Sequence, residues 1–137
     1  MRSRRHERGS VSIWVLLLTS AAFTVLLGLV VDGGHLIDAR LEASRTAAQA
    51  ARLGADQLSA SSVRAGAEAV NAEAAAERVR GYLREAGQQG TVRVDGEGVT
   101  VTVTGKSPAR ILSILGIDSF PIEEAQTARG ITGEDNP

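Results

Sequence analysis

Two histidines, a pair of adjacent glutamates and a glycine-framed turn are the places where this chain has side chains suited to chemistry. His6 and His35 stand at either end of a long apolar run, so they cannot share a metal ion or relay a proton. Glu123 and Glu124 are neighbours in a stretch of loose alternation, where successive side chains point to opposite faces, so they do not form a carboxylate pair for acid/base work. Gly96-Glu97-Gly98 lies between two runs of alternating valines and reads as the turn of a hairpin, not as a phosphate-binding loop opening a helix. There is no cysteine, hence no thiolate nucleophile, thiolate metal site or disulfide, and no serine sits in a nucleophile-elbow pattern. We therefore expect no catalytic residue, no metal and no cofactor.

The dominant feature is a block of uncharged residues. Val11 to Val31 is 21 residues long, and at about 1.5 Å of rise per residue it spans roughly 31 Å, the thickness of a bilayer's hydrocarbon core. Thirteen of its members are Leu, Ile, Val or Phe, which favour insertion by about 4 to 8 kcal/mol in total. A cleaved secretory signal would have an apolar core of only about 7 to 15 residues, and the best small triplet, Ser20-Ala21-Ala22, falls inside the run, so a retained spanning helix is expected. Arg2, Arg4, Arg5 and Arg8 precede the block, Asp32 closes it and the next cation is Arg40, which places the N-terminus in the cytoplasm and the rest outside. Within the run Ser20, Thr24 and Gly28 recur at steps of four, a stripe of small side chains on which a second helix could pack. Asp32-Gly33-Gly34 marks the membrane exit, with Asp32 at the interface needing no partner.

With the four arginines and one glutamate of residues 1–10 set aside, 11 cations remain against 15 anions, so nothing basic is left to track a phosphate backbone and no nucleic-acid partner is expected. Residues 32–58 are rich in helix formers, and Ile37, Leu41, Ser44, Ala48, Ala51, Ala55 and Leu58 recur at alternating steps of four and three on one seam. Most of that seam is small, so it suits packing on another element, or on another copy in a homo-oligomer, better than a free-standing coiled coil. Residues 59–66 read as a loop, and a second helix is expected from Asn71 as N-cap to Gly87, with Ala75, Ala76, Val79, Tyr82 and Leu83 on its apolar face.

From Thr91 the period changes to two. Val92 and Val94, then Val99, Val101 and Val103, alternate with polar residues as a hairpin does. Ser107-Pro108 looks like an N-cap and first helical residue opening a short apolar helix over Ile111–Leu115, ended by Gly116. Ile122–Ile131 suits a third strand, and residues 132–137 a frayed tail. The plan is α+β: cytoplasmic basic stub 1–10, transmembrane helix 11–31, Ala-rich stalk helix 32–58, then a small extracytoplasmic domain over 59–131. That domain comprises the second helix followed by β-β-α-β with a small antiparallel sheet.

Several of these residues carry a resemblance. Arg8-Gly9-Ser10-Val11-Ser12 entering the apolar block, Val31-Asp32-Gly33-Gly34 leaving it, Arg40 and Ala47-Ala48-Gln49-Ala50-Ala51 resemble the TadE/TadG-like proteins of bacterial Flp (tight adherence) pilus systems. Gln49 stands where that family often has aspartate. Trp14 stands at the fifth position after Gly9, where prepilin-like members have glutamate, so the resemblance implies an unprocessed, membrane-retained member. It implies a pilus assembly component, minor pilin-like or pseudopilin-like, whose partners are membrane lipid, other pilus or secretion-system membrane proteins and pilin-like subunits. The competing expectation is a membrane-tethered envelope module that binds a ligand or partner protein through its hairpin edge or through the apolar segment Ile111–Leu115.

Overall fold

The computed structural model describes residues 7–62, 68–96 and 98–130. Helix α1 runs over Glu7–Ser62 and α2 over Glu68–Glu85; strands β1, β2 and β3 cover Gln89–Asp95, Gly98–Pro108 and Ser119–Arg129, with a 3-10 turn at Leu112–Leu115 between the last two. A long apolar helix, a second helix and a three-stranded antiparallel sheet make this an α+β chain, as its periodicities predict. The chain divides into two compact units, Met1–Leu36 with Pro108–Phe120, and Ile37–Ser107 with Pro121–Pro137. Arg2, Arg4, Arg5, His6, Glu97 and the expected tail lie outside the described residues, as does the second half of the expected 59–66 loop.

Helix α1 passes through Gly33-Gly34 without interruption. Two glycines cost a helix about 2 kcal/mol relative to alanine, less than leaving backbone groups unpaired at the edge of an apolar span. The helix also runs past the expected break at Ser59, whose hydroxyl donates to the Ala55 carbonyl at 3.1 Å. Helix α2 starts three residues before the expected cap, so Asn71 lies inside it. The Gln88 N–H donates to the Leu83 carbonyl at 2.9 Å, and Gly87, at φ 66°, turns the chain toward β1.

In the second unit, β2 is the central strand of the order β1-β2-β3. The β1–β2 hairpin pairs Val92 with Val101 and Val94 with Val99, and closes at Asp95 and Gly98 with Gly96 in the left-handed region at φ 57°. Thr100 and Thr127 share a hydroxyl hydrogen bond of 2.8 Å across β2 and β3. The core is small and branched: Val99, Val101 and Val103 from β2 are buried with Val79 and Leu83 from α2 and Ala47, Ala50, Ala51 and Ala55 from α1. Alanines let the helix backbone come close. At Gly54 the fit is tight, since a Cβ there would lie 2.8 Å from a methyl of Val99 and 2.9 Å from one of Val79.

Candidate functional site

In the first unit the expected short helix does not begin at Ser107-Pro108. Strand β2 continues through Pro108, the Ala109 N–H donates to the Asp118 carbonyl at 2.9 Å, and the 3-10 turn starts only at Leu112. Its first N–H groups have no local side-chain acceptor. They are taken instead by a residue about eighty positions earlier, Asp32.

Asp32 Oδ1 accepts from the Arg110 N–H at 2.9 Å and the Ile111 N–H at 3.3 Å; Oδ2 accepts from Ile111 at 3.1 Å and Leu112 at 2.8 Å. The side chain is 1% exposed. This corrects the expectation that Asp32 needs no partner. At the end of an apolar run a carboxylate is costly to desolvate, and three convergent backbone donors offset that cost with charge-assisted hydrogen bonds. Donation by Leu112 is the largest influence and holds the Asp32 carboxyl below its ordinary value; burial opposes it, while the Arg110 and Ile111 N–H groups and the charge of His35 reinforce it.

One turn before Asp32, Gly28 completes the arrangement. It is buried, and a Cβ there would lie 2.8 Å from Leu112 Cδ2 and 3.1 Å from Ile111 Cγ2. A side chain at this position would force Leu112 and Ile111 to shift on the helix. The chain's own Ile111 and Leu112 thus occupy Gly28, and of the expected packing stripe Ser20 and Thr24 remain exposed, with the Thr24 hydroxyl donating to the Ser20 carbonyl at 3.0 Å. Gly33 is half-buried and Gly34 exposed, with no atom within 4 Å of a Cβ at either.

Along the stalk seam, Ala51 and Ala55 are buried, Ser44, Ala48 and Leu58 half-buried, and Ile37 and Leu41 exposed at 68% and 46%. The Gln126 amide donates to the Ser44 hydroxyl at 3.0 Å, and the Tyr82 hydroxyl donates to Gln49 Oε1 at 2.5 Å. Gln49 therefore ties α1 to α2 at the position where the resembled family often has aspartate. Of the residues first weighed for chemistry, His35 is exposed, Glu123 exposed and Glu124 half-buried, and among the described residues no three metal-ligating side chains converge. A shallow cleft between α1 and α2, lined by residues including Leu53, Gln57, Glu77, Arg78 and Tyr82, brings no nucleophile and base together.

The helix begins with a stretch apolar enough to cross a membrane by length and composition. What the site can do is mechanical: a carboxylate and a glycine on α1 hold the β2–β3 connection against the end of that stretch. Neither the curated proteins nor the solved structures include one with significant similarity to the chain. Residues 9–57, which contain Gly28, Asp32 and Gln49, match the family model of Flp pilus-assembly TadE/G-like proteins, so this part of α1 is similar to that family.

Proposed function

We propose that the chain is a non-enzymatic, membrane-anchored component of Flp pilus assembly, minor pilin-like or pseudopilin-like in its action. The carrying observation is that the family match over residues 9–57 coincides with the apolar run and the Ala-rich part of the same helix. Residues 11–31 hold the helix in the bilayer, the N-terminal arginines keep the stub in the cytoplasm, and the α+β domain stands on the outer side. Assembly proceeds by two contacts. Ser20 and Thr24 offer a narrow exposed stripe to a neighbouring spanning helix, and Ile37 and Leu41 offer exposed apolar side chains to a pilin-like subunit just beyond the exit. The buried alanines further along are engaged within the chain itself and are not available to a partner.

Deleting the gene and counting surface pili by electron microscopy tests the proposal. Loss of pili, restored by the wild-type chain, is the expected outcome. Normal piliation would remove its support, and a pulldown of the full chain recovering envelope proteins without pilus components would favour the tethered binding module.

A further inference from the structure

We infer that the β2–β3 connection around Leu112–Ile117 is a second membrane contact, dipping its apolar side chains into the lipid boundary beside the C-terminal end of the spanning run. The inference rests on the membrane-anchoring reading but not on which end of the chain faces the cytoplasm. Its first support is depth. Leu112 and Ile111 lie against Gly28, and Gly28 is three residues before the end of the apolar run at Val31, about 4.5 Å inside it along the helix. A segment touching the helix there lies level with Leu27, Leu29 and Val30, which are themselves exposed and face lipid once the helix spans.

The second support is composition. Ile114, Leu115 and Ile117 are 77%, 55% and 42% exposed, three large apolar side chains within four positions that the described residues leave open. The third is the backbone, because peptide groups enter a lipid boundary only when paired. Here Asp32 accepts from residues 110, 111 and 112. Ile114 N–H donates to Ile111, Gly116 N–H to Ser113 and Ile117 N–H to Leu112, while the Ser113 hydroxyl is bonded to the Arg110 carbonyl. Gly116, at φ 87°, makes the reversal that allows this pairing. Lipid acyl chain is the occupant that satisfies all three observations. In this arrangement Asp32 has a function beyond bracing, since it supplies the acceptors that let an apolar turn enter the boundary.

The chain has no native cysteine, so single-cysteine variants of the full protein can carry an environment-sensitive fluorophore. Ile114→Cys and Leu115→Cys are the test positions, Leu18→Cys reports the spanning helix, and Asp95→Cys reports the hairpin end. Each is reconstituted in phosphatidylcholine–phosphatidylglycerol vesicles, with and without lipid bearing a nitroxide near the top of the acyl chain, and titrated with iodide. The inference expects probes at 114 and 115 to be quenched by the labelled lipid and protected from iodide several-fold relative to the probe at 95. If position 18 responds to lipid while 114 and 115 behave like 95, the second contact is refuted and the anchor stands. Protection of 114 and 115 from both quenchers would also refute it, assigning the turn to another copy of the chain. If position 18 also fails to respond to lipid, the anchoring reading falls together with the inference.

Discussion

Replacing Gly54 and Gly81 by alanine in parallel separates helix propensity from packing within the second unit. Both glycines are helical, Gly54 in α1 and Gly81 in α2, so each substitution gains about 0.8 to 1.0 kcal/mol from propensity alone. At Gly81 a Cβ meets nothing within 4 Å, and that gain should appear in full. At Gly54 it would lie 2.8 Å from Val99 and 2.9 Å from Val79, both fully buried and both branched at Cβ, so neither can swing aside. Overpacking a close-fitted core costs about 1 to 3 kcal/mol, which leaves Gly54→Ala neutral to about 2 kcal/mol destabilising. Because propensity cancels between the two variants, their difference is the overpacking cost itself. For a domain of this size each kcal/mol moves Tm by about 4 to 8 °C. Thermal unfolding of the full chain in mild detergent, followed by circular dichroism, should place Gly81→Ala above wild type and Gly54→Ala at least about 4 °C below Gly81→Ala. Equal gains for the two variants would refute the close approach of α1 to the sheet, and with it the claim that the alanine face is engaged within the chain.

Three further outcomes follow from the same geometry. Asp32→Asn replaces two acceptor oxygens by one and should speed hydrogen exchange at Arg110, Ile111 and Leu112; since the folded carboxyl lies below its ordinary value, wild-type protection is present above the unfolded carboxyl's pKa and is lost as pH falls through the folded one. Gly28→Val should displace Leu112 at a cost of about 1 to 3 kcal/mol and accelerate exchange at the same amides, whereas exchange in the hairpin should not change. A double-mutant cycle of Tyr82→Phe and Gln49→Leu should return a coupling of about 0.5 to 1 kcal/mol by denaturant unfolding, and zero coupling would remove the Tyr82–Gln49 tie.

The parts legible from sequence are those with a strong local period. Valines at alternate positions specify the hairpin because a one-residue slip would turn all of them to the other face, and the observed register keeps Val99, Val101 and Val103 buried together. The apolar run is legible for the same reason, being long and uncharged. Along the stalk the period identifies a helix but does not single out its buried line, because Ala43, Ala47, Ala50 and Gly54 are as small as the neighbouring Ser44, Ala48, Ala51 and Ala55. The bracing role of Asp32 has no local signature: its donors lie 78 to 80 positions away, and Ser107-Pro108 supplies a more conventional helix start that the strand overrides. Asking where the N–H groups at 110 to 112 find acceptors would have raised the question without identifying the answer.

On the proposed function, pilus assembly needs residues 32–137 held in the membrane by the apolar run that precedes them. In a deletion strain, residues 1–31 can be exchanged for a cleavable secretory signal, so that residues 32–137 are exported and released, and surface pili counted beside the wild-type complement. The account predicts pili with the anchored chain and none with the released one. Full piliation by the released domain would contradict it.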